Sequence, residues 1–292
     1  MANNPLIIGQ VAQQIANFKT QALGEIQSGK AFDIAALASE YISTQQTQST
    51  LASNTAQGII AISAIGRNMA LPDPESAYKM MSHINQLGVL YPAQSARLSE
   101  MQSGVQQLAE VTKQLQGINA AADFASVKKQ LQNFADQYNQ WRLQFNDDVQ
   151  DPELLADTQA AHMARYELAQ SISSPFHGAQ QGIQGMAALG LTIDPVTQMA
   201  KVDVAQLEQA WGQPGAVGAI NEFAAHFSRS ASMLTEQNNF FAKQQANLAR
   251  VIDYMDDNKT KLQQEFGLGD PPQVSAKIAQ AYADYQHRHG LL

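Results

Sequence analysis

An all-α fold, an elongated helical bundle or coiled coil with one small β-hairpin near residues 189–203, is what this sequence predicts, and three observations predict it. Alanine (45 residues) and glutamine (39) dominate the 292 positions while aromatic residues make up 7%, so helix formers are plentiful and bulky core side chains sparse. Prolines are few and sit in clusters that read as boundaries between helices. From Ile220 to Leu262 an apolar residue recurs at every seventh position, the period of a helix packed along one seam.

Taken in order, residues 1–70 read as an N-terminal helical segment. Ile8, Val11, Ile15, Phe18 and Ala22 alternate three and four apart, and Ile34, Leu37 and Tyr41 resume the pattern after Gly29. Residues 71–122 read as a long heptad segment. Asp73 is placed to accept from free amides and Pro74 to occupy the first helical position, where a missing N–H costs nothing. Ile84, Leu87, Tyr91, Leu98, Met101, Val105, Leu108 and Leu115 then hold one heptad frame, with Gln94 and Thr112 as polar exceptions and Pro92 as an expected kink.

Residues 123–219 read as a helical domain that contains the hairpin. Asp123 caps a helix whose stripe of Phe124, Val127, Leu131, Phe134, Tyr138, Trp141 and Phe145 is the most aromatic face in the chain, and such spacing is the mark of core. Asp151-Pro152-Glu153 repeats the cap-and-proline signal and predicts a helix through Ile172. Residues 173–185, rich in Ser, Gly, Pro and Gln, read as a loop. Short β-prone runs at 189–193 and 200–202 flank Asp194-Pro195-Val196-Thr197-Gln198 and predict the hairpin, after which Asp203 caps a helix over 204–211.

Residues 220–266 read as one long coiled-coil helix, and 267–292 as a tail or short helix. Ile220, Phe227, Leu234, Phe241, Leu248, Met255 and Leu262 form an uninterrupted seam. The second seam position is mixed, with Phe223 and Val251 but also Ser230, Gln237, Gln244 and Asn258. A single helix of this length spans about 65 Å at 1.5 Å per residue, so it needs another long helix beside it, from the same chain or a neighbour. The seam is therefore a candidate assembly surface.

Composition excludes several functions. The net charge of -8 and the lack of any basic run longer than Lys128-Lys129 argue against nucleic acid as a partner. No cysteine is present, which removes disulfides, thiolate nucleophiles and Cys-based metal sites. No run of 18 apolar residues predicts a membrane span, and residues 1–30 lack the pattern of a cleaved signal. His83, His162, His177, His226, His287 and His289 fit no metal-ligand spacing, and neither a GxSxG elbow nor a phosphate loop occurs. Adjacent acids such as Asp147-Asp148 and Asp256-Asp257 point about 100° apart on a helix and do not converge, so they read as solvated faces. No catalytic residue, cofactor or metal is expected.

The run Phe134-Ala135-Asp136-Gln137-Tyr138-Asn139 resembles the "F-V-x-x-Y-N" element of bacterial flagellar filament-capping proteins, also called hook-associated protein 2. Leu155-Ala156-Asp157 followed by Arg165 and Leu168 resembles that family's "L-x-G-D … L-R-x-x-L". Gly190, Asp194, Asp203 and Leu207 lie in a stretch similar to its hairpin-and-helix signature, and Pro214 and Val217 stand where it often has "P-x-x-V". The resemblance covers roughly residues 124–266. It implies a secreted axial subunit of the flagellum that serves motility or adhesion, leaves by type III export without a cleaved signal, and packs its N- and C-terminal helices together. It also implies self-assembly as a homo-oligomer, contact with flagellin or other axial proteins, and an export chaperone. The family's glycine-rich opening element is absent from residues 1–30, and helical heptads stand where its β-rich outer domains are expected, so the likeness is to a shortened or divergent member. The alternative from composition alone is a cytosolic adaptor or chaperone that binds a partner's amphipathic helix along the seam.

Overall fold

The computed structural model describes residues 62–291. The stripes read at Ile8–Ala22 and Ile34–Tyr41 lie outside the described residues. Of the described structure 68% is helical, and its only strands are a two-stranded antiparallel hairpin, so the fold is all-α with one small hairpin. The helices are α1 (Pro74–Leu115), α2 (Phe124–Gln144), α3 (Gln159–Ser173), α4 (Val204–Trp211), α5 (Ala216–Thr235), α6 (Phe240–Phe266) and α7 (Ala276–Arg288), with β1 (Leu191–Ile193) and β2 (Ala200–Val202) between α3 and α4.

Three of the expected caps form as read. Asp73 Oδ1 accepts from Ser76 N at 3.1 Å, Asp123 Oδ1 from Ser126 N at 2.8 Å and Asp203 Oδ1 from Gln206 N at 3.0 Å. Each satisfies an amide that the first helical turn leaves without a partner. The hairpin pairs Leu191 with Val202, Thr192 with Lys201 and Ile193 with Ala200. Pro92 lies inside α1 without ending it.

Two helix boundaries differ from the sequence reading. Residues 220–262 are not one helix: α5 ends at Thr235, Glu236 turns to extended backbone at φ -65 and ψ 157, and α6 begins at Phe240. The break holds Gln237-Asn238-Asn239, and asparagine favours caps and turns over helix interiors because its amide competes for the backbone. The heptad frame counts apolar positions and passes over such a break. Asp151-Pro152-Glu153, in turn, does not open a helix. Asp151 Oδ1 accepts from Glu153 N at 2.9 Å and its carbonyl from Leu154 N at 3.0 Å, which makes a turn that drives Leu154 and Leu155, both 0% exposed, into the core. Helix α3 starts only at Gln159.

The chain divides into two compact units, 1–96 with 246–292 and 97–245. The boundaries between the units fall inside α1 and α6.

In the described part of the first unit, residues 67–91 meet residues 251–273. Met81 of α1 packs with Leu262 and Phe266 of α6, and Leu87 with Met255. Side-chain amides and hydroxyls then join the segment after α6 to α1. Asn85 Nδ2 donates to the carbonyls of Leu268 and Asp270 at 2.9 Å each, Tyr78 Oη donates to Asp270 at 2.8 Å, and Gln86 exchanges two bonds of 3.0 Å with the backbone of Gln273. Buried Asn68 donates to the carbonyls of Gln264 and Glu265 at 3.0 Å each, satisfying acceptors that the end of α6 would otherwise leave open. Arg67 pairs with Gly267 in an isolated bridge.

In the second unit the aromatic stripe of α2 is core, as its spacing predicts. The Phe134 ring meets Phe223 and Phe227 of α5 edge-on at 5.2 and 5.0 Å, an orientation that sets a ring edge against a π face. Trp141 lies over Gly104 of α1. A Cβ at that glycine would come within 2.5 Å of the indole, so the glycine is what lets the ring close on the helix. The Trp141 Nε1 proton is satisfied by the carbonyl of Met101 at 3.3 Å.

Candidate functional site

Of the positions that carry the family resemblance, Asn139, Gly190, Asp194, Asp203 and Leu207 lie at a node where α2 meets the hairpin and α4, whereas Leu155, Asp157, Arg165, Leu168, Pro214 and Val217 lie elsewhere. Asn139 leaves the α2 stripe sideways toward β2. Its Nδ2 donates to the carbonyl of Ala200 at 2.8 Å and its Oδ1 accepts from the Ala200 N–H at 2.7 Å. A two-stranded ribbon is marginal by itself and has open edges. Asn139 completes one position of that edge as a third strand would, and it fixes the hairpin against the helix.

Asp194 shapes the turn of the hairpin. Its Oδ1 accepts from Thr197 N at 2.7 Å, Thr197 Oγ1 at 3.0 Å and Val196 N at 3.0 Å. These bonds, Thr197's amide foremost, favour the ionised form and hold the carboxyl below its ordinary range. Val196, at the tip, is 88% exposed. At the other end of the ribbon Gly190 adopts φ +82 and its carbonyl accepts from Asp203 N at 2.8 Å, while Asp203 in turn caps α4. Leu207 of α4 and Phe134 and Tyr138 of α2 are each 0% exposed. Asp157 is exposed, in the turn before α3, and takes no part in the node.

All seven residues of the predicted seam, Ile220, Phe227, Leu234, Phe241, Leu248, Met255 and Leu262, are buried within the chain, none more than 5% exposed. The seam is thus filled internally. Ile220, Phe227, Leu234 and Phe241 belong to the second unit and Leu248, Met255 and Leu262 to the first. As a surface for another molecule it is closed in this structure.

Two polar constructions escaped the sequence reading. Arg97 Nε donates to Asp148 Oδ2 at 2.7 Å, the same guanidinium also pairs with Glu100, and it lies 5.0 Å from the Phe145 ring centre. Asp148 is 0% exposed, so it belongs to a buried ion pair and not to the solvated face expected of Asp147-Asp148. The second lies beneath the loop after α3. His177 Nε2 hydrogen-bonds the Ser171 carbonyl at 2.9 Å, Ser171 Oγ bonds His226 Nδ1 at 2.9 Å, and Gly178 N donates to Glu222 Oε2 at 2.6 Å. Burial, then the neighbouring His177 and Arg229, push the His226 imidazole below its usual range. Although a serine bonded to a histidine is part of a nucleophilic triad, Ser171 is 1% exposed and the bonds fasten a loop to α5. Among the described residues no group of three or more His, Asp or Glu is arranged to hold a metal, and no helix is long and apolar enough to cross a membrane.

The node yields a sharp prediction. In Asn139→Leu the Ala200 N–H and carbonyl both lose their partner, at an expected cost of about 2–3 kcal/mol. Amide exchange followed by NMR should then show loss of protection at Ala200 and its strand while α3 stays protected; unchanged protection of β2 would contradict the role given to Asn139.

Compared with protein-family models, with curated proteins and with solved structures, the chain matches none.

Proposed function

We propose that the protein is a flagellar axial or filament-cap-like structural subunit, exported through the flagellar type III apparatus, which acts by self-assembly and by docking to flagellin or other axial proteins rather than by catalysis. The observation that carries this reading is the node itself. Residues quoted for the resemblance on sequence grounds alone, Asn139, Gly190, Asp194, Asp203 and Leu207, meet in space and each has a distinct architectural task there. A second support is the first unit, in which residues before α1 and after α6 are stitched together, in keeping with the terminal packing that the resemblance implies. An export chaperone belongs to the same proposal.

The adaptor alternative asks for an open apolar groove. The residues that would line it are the seam residues, and they are covered by the chain's own helices. Self-assembly therefore has to use other faces, and sedimentation from micromolar to millimolar concentration tests it. The expected result is a concentration-dependent rise to rings or chains visible by electron microscopy; a monodisperse monomer throughout would count against the proposal.

A further inference from the structure

The apolar line from Ile220 to Leu262 keeps its seven-residue spacing straight through the break between α5 and α6, with Leu234 before it and Phe241 after it. A permanent turn sets no such condition, because each flanking helix then meets its neighbours in its own register. Seven residues of α-helix fall within about 20° of two full turns, so a continuous helix would hold Leu234 and Phe241 on one face. Both lie in the second unit, 3% and 0% exposed.

No covalent feature enforces the turn: neither glycine nor proline occurs from Ala219 to Phe266. The Glu236 amide still donates to the Ser232 carbonyl at 2.9 Å, a helical bond, and the ψ of 157° at Glu236 then turns the chain away. Beyond it Lys243 N donates to the Asn239 carbonyl at 2.9 Å, which is helical spacing again. Among the described residues the Gln237 and Asn238 amides have no backbone partner. With 236–239 in helical backbone these amides would reach the carbonyls of Met233 and Leu234, and the Asn239 amide that of Thr235.

The brace on the turn is tertiary. Gln102 of α1 donates from Nε2 to the Thr235 carbonyl at 3.2 Å, an acceptor that the end of α5 leaves open, and its Oε1 accepts from Gln245 Nε2 at 3.2 Å. One side chain thus ties both sides of the break, and its bond to Thr235 competes with the one Asn239 would make. All of these residues belong to the second unit.

We infer that residues 236–239 are a helix-closing joint: α5 and α6 stand apart while Gln102 caps Thr235, and fuse into one helix when it lets go. The preserved heptad frame is then what the fused state requires. The joint is a property of this chain's own backbone and is independent of the flagellar reading.

The test is NMR relaxation dispersion on the full chain, read at the backbone of Glu236 to Phe240. The expected result is exchange confined to these residues, with a minor state whose Glu236 Cα shift is helical while the major state's is extended. Gln102→Ala removes a bond made only in the open state and should raise the minor population about fivefold, the worth of one hydrogen bond. Gln237→Pro should abolish the exchange, because proline offers the Met233 carbonyl no N–H and favours the extended backbone that Glu236 already has. Flat dispersion in both the wild type and Gln102→Ala, a minor state without a helical Glu236 shift, or exchange undiminished in Gln237→Pro would overturn the inference.

Discussion

Phe134→Ala is expected to destabilise the second unit by about 3–5 kcal/mol, the range for truncating a fully buried aromatic side chain. The side chain is 0% exposed and its ring is met by two phenylalanines of α5 and by Tyr138 of its own helix at 6.5 Å. Its removal therefore takes away both transfer free energy and the edge-to-face geometry that orients α5 on α2. Phe134→Leu, which keeps most of the volume, should recover much of the loss. Urea unfolding followed by Trp141 fluorescence reads the effect, and a cost below about 1 kcal/mol would mean that the ring is not the keystone described.

Gly190→Ala is expected to cost about 3 kcal/mol or more, for two additive reasons. The residue sits at φ +82, where an L side chain is strained, and its Cβ would approach the Asp203 carbonyl oxygen to 2.5 Å. That carbonyl starts α4 by accepting from Leu207 N at 3.0 Å, so relief of the clash displaces the helix start. Gly182 supplies the control. It has φ +86 but nothing within 4 Å of the place a methyl group would take, so Gly182→Ala should carry the backbone strain alone, about 1 kcal/mol. Equal melting temperatures for the two variants would remove the packing argument at the node.

Much of the local structure is legible before folding, because it depends on neighbours in sequence. The caps Asp73, Asp123 and Asp203 and the hairpin turn at Asp194 each act within three residues. The aromatic stripe identifies core because helical geometry forces residues three and four apart onto one face. What remains hidden is which face covers which. The heptad frame of Ile220–Leu262 names the apolar line correctly, but the line serves two units and is interrupted at Gln237-Asn238-Asn239, where the amides themselves were the signal.

The abundance of amides also finds a use that composition alone does not reveal. Asn68, Asn85, Gln86, Asn139, Gln206 and Asn221 all bond backbone groups of another segment. A primary amide carries both donor and acceptor and so can substitute for a backbone peptide group, as Gln86 does with Gln273 and Asn139 with Ala200. In a chain with few large side chains, such bonds hold extended segments onto helices where apolar area is scarce.

The axial-subunit account is tested most directly by export. The untagged chain would be followed by immunoblot in cells and culture supernatant, with the flagellar export gate either working or inactivated. The account predicts protein in the supernatant, or on the detached filament fraction, only when the gate works. Retention of the protein in the cells of both strains, at equal levels, would contradict it.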